Sequence, residues 1–222
     1  MSKVMKSRRT ENGIIIHEHD DGTSKQYVAV RGGLSWPRTE ENLPGYYLIM
    51  GEELIPAAQR KENQRGKLRV MSEFEAPDIV TSLTSLFTKL TDDSTLYLCD
   101  TFYTVTGKFE GEDYSGYTEA FRKFIYDKKI AAHLEEAPWA DRSDLGIDYI
   151  QSWRDKCLLE LEKGILYDQL GKVTNSNVKQ IAETFNAVNA LRYVVCGFEK
   201  YRPTNTNSNW RSKMRKGTWR SV

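Results

Sequence analysis

Apolar residues along this chain recur first with the period of a strand and then with the period of a helix, and the change falls near Pro77. Ile14, Ile15 and Ile16 form a short apolar run that closes at the turn Asp20-Asp21-Gly22. Gln26 to Val30 (QYVAV) predicts a strand stopped by Gly32-Gly33, and Gly45 to Gly51 (GYYLIMG) predicts another, bracketed by glycines. In Lys67 to Glu75 (KLRVMSEFE), Leu68, Val70 and Phe74 alternate with polar neighbours, as in a half-buried strand. Beyond Pro77 the residues Ile79, Leu83, Leu86, Phe87 and Leu90 fall at helical spacing. Pro77 and Asp78 suit the first turn of that helix. Thr95 to Cys99 (TLYLC) is an almost continuous apolar run, the pattern of a central strand buried on both faces and ending at Asp100. A glycine-bearing loop from Thr104 to Asp113 leads to a helix capped by Ser115, with Tyr117, Phe121, Phe124 and Ile125 on one side. Lys129 to Leu134 predicts a weaker strand. Two helices follow, one around Ile147, Ile150, Trp153, Cys157 and Leu161, and a longer one from Val178 to Phe198.

Three or four strands joined by short loops, then helix, strand, helix, strand, helix, helix, predict an α/β fold. Its sheet is mixed, antiparallel strands followed by a βαβα stretch, and helices flank it, which is the ribonuclease H-like arrangement. One such domain is expected over residues 13–200. A basic flexible N-terminus is expected at 1–12 and a basic flexible C-terminal tail at 201–222, the tail being rich in Asn, Ser and Thr without periodicity.

Composition adds little until charge is read by position. The chain has 222 residues, and its 39% apolar and 28% charged fractions are those of an ordinary globular protein. No apolar run approaches the roughly 20 residues needed to span a bilayer, so no membrane association is expected. Cys99, Cys157 and Cys196 lie far apart in apolar contexts and read as buried reduced thiols in a reducing cytosol. The net charge of +1, however, conceals a sorted distribution. Lys3, Lys6, Arg8 and Arg9 precede any acid, and no acid accompanies Lys200, Arg202, Arg211, Lys213, Arg215, Lys216 and Arg220. All 31 acidic residues lie between these ends, against the remaining 21 of 32 basic ones. Basic ends on an acidic body are an electrostatic handle for a polyanion such as nucleic acid. In the tail, Trp210 and Trp219 interleave with the cations Arg211, Lys213, Arg215, Lys216 and Arg220, so that ammonium and guanidinium groups meet phosphates while indoles stack on bases or enter a protein groove.

Several local features resemble the nuclease domain of viral large terminase subunits, which package and cut phage DNA. They are the strand QYVAV with its glycine-rich exit, the strand-to-helix step EFEAPDIVTSL, the acid in LYLCDT, and the helix FNAVNALRYVV. The resemblance covers about Gln26 to Phe198. It implies host cytoplasm or virion as the location, and DNA and a virion portal or packaging-motor protein as partners. It also implies phosphodiester cleavage by two Mg²⁺ or Mn²⁺ ions, held by carboxylates of the first strand, the fourth strand and the final helix. At those positions this chain carries Arg31, Asp100 and Asn189, so one carboxylate stands where three are needed. The expectation is a nuclease-like domain with weak or lost catalysis, Asp100 being the remnant of the catalytic metal site. An active alternative uses displaced ligands. Glu73 and Glu75 share one face of a strand and would join Asp100 if their strands were neighbours, with Glu183 on the final helix.

Other chemistry is absent or thin. His17, Glu18, His19 and Asp20 cluster, but an exposed polar strand end accounts for them better than a metal site. No phosphate-binding loop of the kind a packaging motor needs is present, and no Gly-x-Ser-x-Gly motif occurs. A virion structural protein that docks through its tail is the alternative from a different class.

Overall fold

The computed structural model describes residues 2–38, 42–59, 61, 64–76, 79–109, 111–174, 177 and 180–201, with the backbone alone at 79–82, 182 and 183. In chain order its strands are β1 (Val4–Arg9), β2 (Ile15–His19), β3 (Ser24–Ser35), β4 (Gly45–Glu53), β5 (Leu68–Ala76), β6 (Thr101–Thr104), β7 (Lys108–Phe109), β8 (Glu112–Asp113), β9 (His133–Glu136) and β10 (Leu159–Glu160). The helices are α1 (Ile79–Tyr97), α2 (Ser115–Asp127), α3 (Ser143–Asp155), α4 (Ile165–Gly171), α5 (Ile181–Thr184) and α6 (Asn186–Lys200), with a 3-10 turn at Ala57–Gln59.

The centre of the sheet runs β5-β4-β3-β6-β9. β3, β4 and β5 are antiparallel, whereas β6 lies parallel to β3 and β9 parallel to β6. α1 connects β5 to β6, α2 connects β6 to β9, and α6 closes the chain against β3 and β4. This is the ribonuclease H-like mixed sheet the element order predicts. The β1–β2 hairpin lengthens it along the first half of β3, and β10 adds a parallel strand to β5.

The strand buried on both faces is β4. Tyr47 and Ile49 enter one core, with Leu34, Phe87, Leu90 and Phe121. Tyr46, Leu48 and Met50 enter a second, with Trp153, Leu191, Val194 and Val195 beneath α6. A side-chain period of two distributes one unbroken apolar run between two layers. α6 is buried around its whole circumference from Asn186 to Phe198, so it lies between the sheet and α3, α4 and α5. Gly33 permits this approach, since a β-carbon there would stand 2.0 Å from the Ala190 carbonyl oxygen.

Several expectations are corrected. TLYLC is not a strand: α1 continues through Tyr97, and Leu86, Leu90, Ser94 and Tyr97 extend its helical stripe. A five-residue apolar run has no periodicity of its own to distinguish strand from buried helix. Residues 4–9 are a β-strand paired with β2, not a flexible N-terminus, because Val4 is buried and Arg9 reaches the start of β6. Gly32-Gly33 do not stop their strand, which runs on to Ser35. Ser115 is not a side-chain cap; the Asp113 carboxylate accepts from its backbone N–H at 2.9 Å. Cys157 is exposed, in contrast to the buried Cys99 and Cys196. Among the described residues, no helix is long and apolar enough to cross a membrane. The expected tail lies outside the described residues beyond Tyr201.

Candidate functional site

β3 and β6 run parallel, so their C-terminal ends open at one edge of the domain, and α6 brings Asn189 to that edge. The Asn189 Nδ2 donates to the Tyr193 hydroxyl at 3.0 Å and to the Ser35 hydroxyl at 3.4 Å. Its Oδ1 accepts from Arg192 Nη1 at 2.7 Å, and Arg192 Nη2 donates to the Ala140 carbonyl at 2.6 Å. Arg192 is only 1% exposed, has no carboxylate within ion-pair distance among the described residues, and its Nε has no partner. The cluster thus contains amide, hydroxyl and guanidinium groups and no acid. Close packing fixes it, since a β-carbon on Gly146 would stand 2.8 Å from Arg192 Cγ.

Asp100 is elsewhere. It precedes β6 rather than ending a strand, is about two-fifths exposed, and pairs with Arg9 at 2.9 Å. Gly33 lies opposite Tyr103, so Ser35 is level with Val105. Asp100 is five residues earlier, about 16 Å along the strand from the Asn189 end. Arg31 belongs to that same far end. Its guanidinium donates to the Gly197 carbonyl at 2.6 Å and to the Tyr201 carbonyl at 2.7 Å, capping the C-terminus of α6. Eight helical residues, about 12 Å, separate Gly197 from Asn189. The cation at the first-strand position therefore has a structural task, and the three expected ligand positions do not converge.

The displaced set fares no better. Glu73 and Glu75 do share the face of β5 beneath α6, where Tyr46 donates to Glu73 at 2.6 Å and Asn186 to Glu75 at 3.3 Å. But β4 and β3 intervene between β5 and β6, which puts Asp100 three strand spacings, about 14 Å, away. Glu183 lies on α5 rather than the final helix, and its side chain is outside the described residues. Among the described residues no three His, Cys, Asp or Glu side chains gather to hold an ion. Two hard divalent ions need several carboxylate oxygens at one point, and neither candidate set provides them.

Two polar networks escaped the sequence reading. Asp93, buried on α1, accepts from the Tyr47 and Ser72 hydroxyls and from Lys89 at 3.3 Å, fastening α1 to the sheet. Arg65 makes a bidentate pair with the buried Glu52 at 2.8 Å and lies over the Trp153 ring. Apart from the Lys89–Asp93 pair four residues apart on α1, each joins residues distant in sequence, and no local spacing marks such pairs.

The His17 to Asp20 segment is not an exposed strand end. His17 is 1% exposed, and its Nε2 donates to the Tyr97 carbonyl at 3.1 Å. Burial pushes this imidazole below its ordinary value; the Tyr97 carbonyl opposes the shift and the nearby His19 adds to it. The unfolded chain binds a proton near pH 6.5 that the folded chain resists, so this part of the stability is complete above about pH 6.5 and falls as pH drops below it. Urea midpoints at about pH 7.5 and about pH 5.5 are expected to differ more in the natural protein than in His17→Gln. Equal differences in the two proteins would contradict the assignment.

No family model and no curated protein matches the sequence. Among solved structures, the large terminase nuclease from the thermophilic phage G20c with bound zinc is a distant likeness, covering 89% of this chain and 93% of that one. The TM-score is 0.47 and the sequence identity 8%.

Proposed function

We propose that this chain is a DNA-binding component of a viral packaging or DNA-processing apparatus, resembling a terminase nuclease domain but without strong two-metal cleavage. The observation that carries the reading is the Ser35–Asn189–Arg192–Tyr193 cluster. In a ribonuclease H-like sheet the last helix meets the strand ends here, and this chain supplies a buried guanidinium and neutral groups in place of carboxylates. A fixed cation repels a divalent ion, and neutral oxygens cannot offset two of them. The sorted charge supports DNA as the partner, with Arg211, Lys213, Arg215, Lys216 and Arg220 as the contacts, and Trp210 and Trp219 stacking beside them. A portal or packaging-motor protein is the further partner this reading proposes.

Supercoiled plasmid incubated with the full chain and Mn²⁺ is expected to be retarded in a gel and to remain supercoiled once protein is removed. Asp100→Ala is expected to leave that result unchanged and to alter stability by less than about 1 kcal/mol, since the Arg9–Asp100 pair is solvent-exposed. Cutting that Asp100→Ala abolishes would overturn the proposal.

A further inference from the structure

The last turn of α2 presents Tyr126, which at 82% exposure is the most exposed large apolar side chain among the described residues. The helix buries Thr118 and Phe121 and packs Tyr117, Phe124 and Ile125 against the core. With about 3.6 residues per turn, its opposite face carries Glu119, Arg122, Lys123 and Tyr126. Arg122 and Lys123 stand one turn before the ring, and Lys128 and Lys129 follow it. All four cations are exposed, and none enters an ion pair among the described residues. The neighbouring acids are Glu119 and Asp127, both exposed, so this turn stays positive on a body that is acidic as a whole.

α2 returns the chain from the end of β6 to the start of β9, so the turn stands where those parallel strands begin. Asp100, at the same end, is already paired with Arg9. α6 also ends there, at Tyr201, from which the chain continues into its basic tail. A strand held by the tail can therefore meet the α2 turn as well.

An exposed ring among cations offers a stacking face for a base and contacts for the phosphates on either side. Arg122 and Lys128 are about 9 Å apart along the helix axis, so a strand laid along the turn meets a cation before and after the stacked base. In a duplex the base faces are closed against one another, and a ring on a convex helix reaches only the backbone. The arrangement thus favours a single strand.

We infer that the C-terminal turn of α2 binds unpaired DNA. A base stacks on Tyr126, and the flanking phosphates meet Arg122, Lys123, Lys128 and Lys129. This rests on the DNA-binding reading and adds the strandedness of the DNA to it.

Lys129 provides a variant whose two effects have opposite signs. It lies just past the helix at φ 54°, in the left-handed region, with its N–H bonded to the Tyr126 carbonyl and that of Ile130 to the Ile125 carbonyl. Leu98 and Cys157 close α1 and α3 in the same conformation, so it is a way of ending helices in this chain and not itself a sign of a ligand. Glycine adopts it without steric cost. Lys129→Gly should therefore stabilise the fold while losing a phosphate contact.

Fluorescence anisotropy of a labelled oligothymidylate of about 15 nucleotides, and of a duplex of the same length, reads binding by the full chain. Tyr126→Ala is expected to weaken single-strand binding about fivefold or more and duplex binding less than about twofold, and Tyr126→Phe to bind both like the natural protein. Lys129→Gly is expected to make the slope of log K against log salt on the single strand shallower by about 0.7. The same variant should raise the melting temperature by about 2 °C or more. The inference is overturned if Tyr126→Ala holds the single strand like the natural protein or loses equally on both forms, or if Lys129→Gly leaves the slope unchanged. In each of those results the natural chain still binds DNA, and the DNA-binding reading stands. A natural chain that binds neither form would overturn both.

Discussion

Gly33→Ala is expected to destabilise the domain by about 3 kcal/mol or more, a large fraction of the total for a protein of this size. The added methyl would meet the Ala190 carbonyl at 2.0 Å and the Val194 Cβ at 3.2 Å. The near contact is backbone on a helix buried all round, so relief requires α6 to lift from the sheet. That movement would also disturb the Asn189–Ser35 contact and the Arg31 cap at the other end of the same helix. Gly116→Ala is the matching control. It lies inside α2 with nothing within 4 Å of the added carbon, and is expected to stabilise by about 0.5–1 kcal/mol through helix propensity. Urea unfolding of both variants checks the pair, and a Gly33→Ala protein as stable as the natural one would contradict the packing of α6.

The second large effect concerns DNA. If the five cations between Arg211 and Arg220 each neutralise a phosphate, as proposed, the expected slope of log K against log salt on duplex DNA is about −4 to −5, or roughly 500-fold between 50 and 200 mM salt. On the proposed reading the acidic body would repel the same polyanion, and the tail is expected to carry most of the affinity. Truncation after Tyr201 is expected to remove most binding at low salt. It should leave the unfolding midpoint unchanged, because α6 and its Arg31 cap are complete at that residue. Fluorescence anisotropy of a labelled duplex reads the first and urea unfolding the second. Undiminished binding by the truncated chain would make a protein partner the better account of Trp210 and Trp219.

How far the sequence foretold the fold depended on whether a pattern was local. The alternation in KLRVMSEFE and the helical stripe from Leu83 to Leu90 gave β5 and α1 directly. GYYLIMG and TLYLC look alike as apolar runs, yet the first is the doubly buried strand and the second the end of a helix. Only pairing with neighbours separates them, and pairing is not written in five residues. Asp100 then moved with that error, from the end of a central strand to the exposed start of β6. At the site, Asn189 was visible as an amide in place of an acid. The burial of Arg192 was not, since an arginine in a helix ordinarily reads as surface. Arg31 was legible as a cation in an unexpected place, but its role at the end of α6 depends on a residue 166 positions away.

On the proposed reading, this ribonuclease H-like domain gathers too few carboxylates among its described residues to hold two divalent ions. Titration of the full chain with Mn²⁺, followed by electron paramagnetic resonance of the free ion, tests it most directly. No stoichiometric site tighter than about 1 mM is expected, in the natural protein and in Asp100→Ala alike. Two tight sites per chain, lost on substitution of Asp100, Glu73 or Glu75, would contradict it.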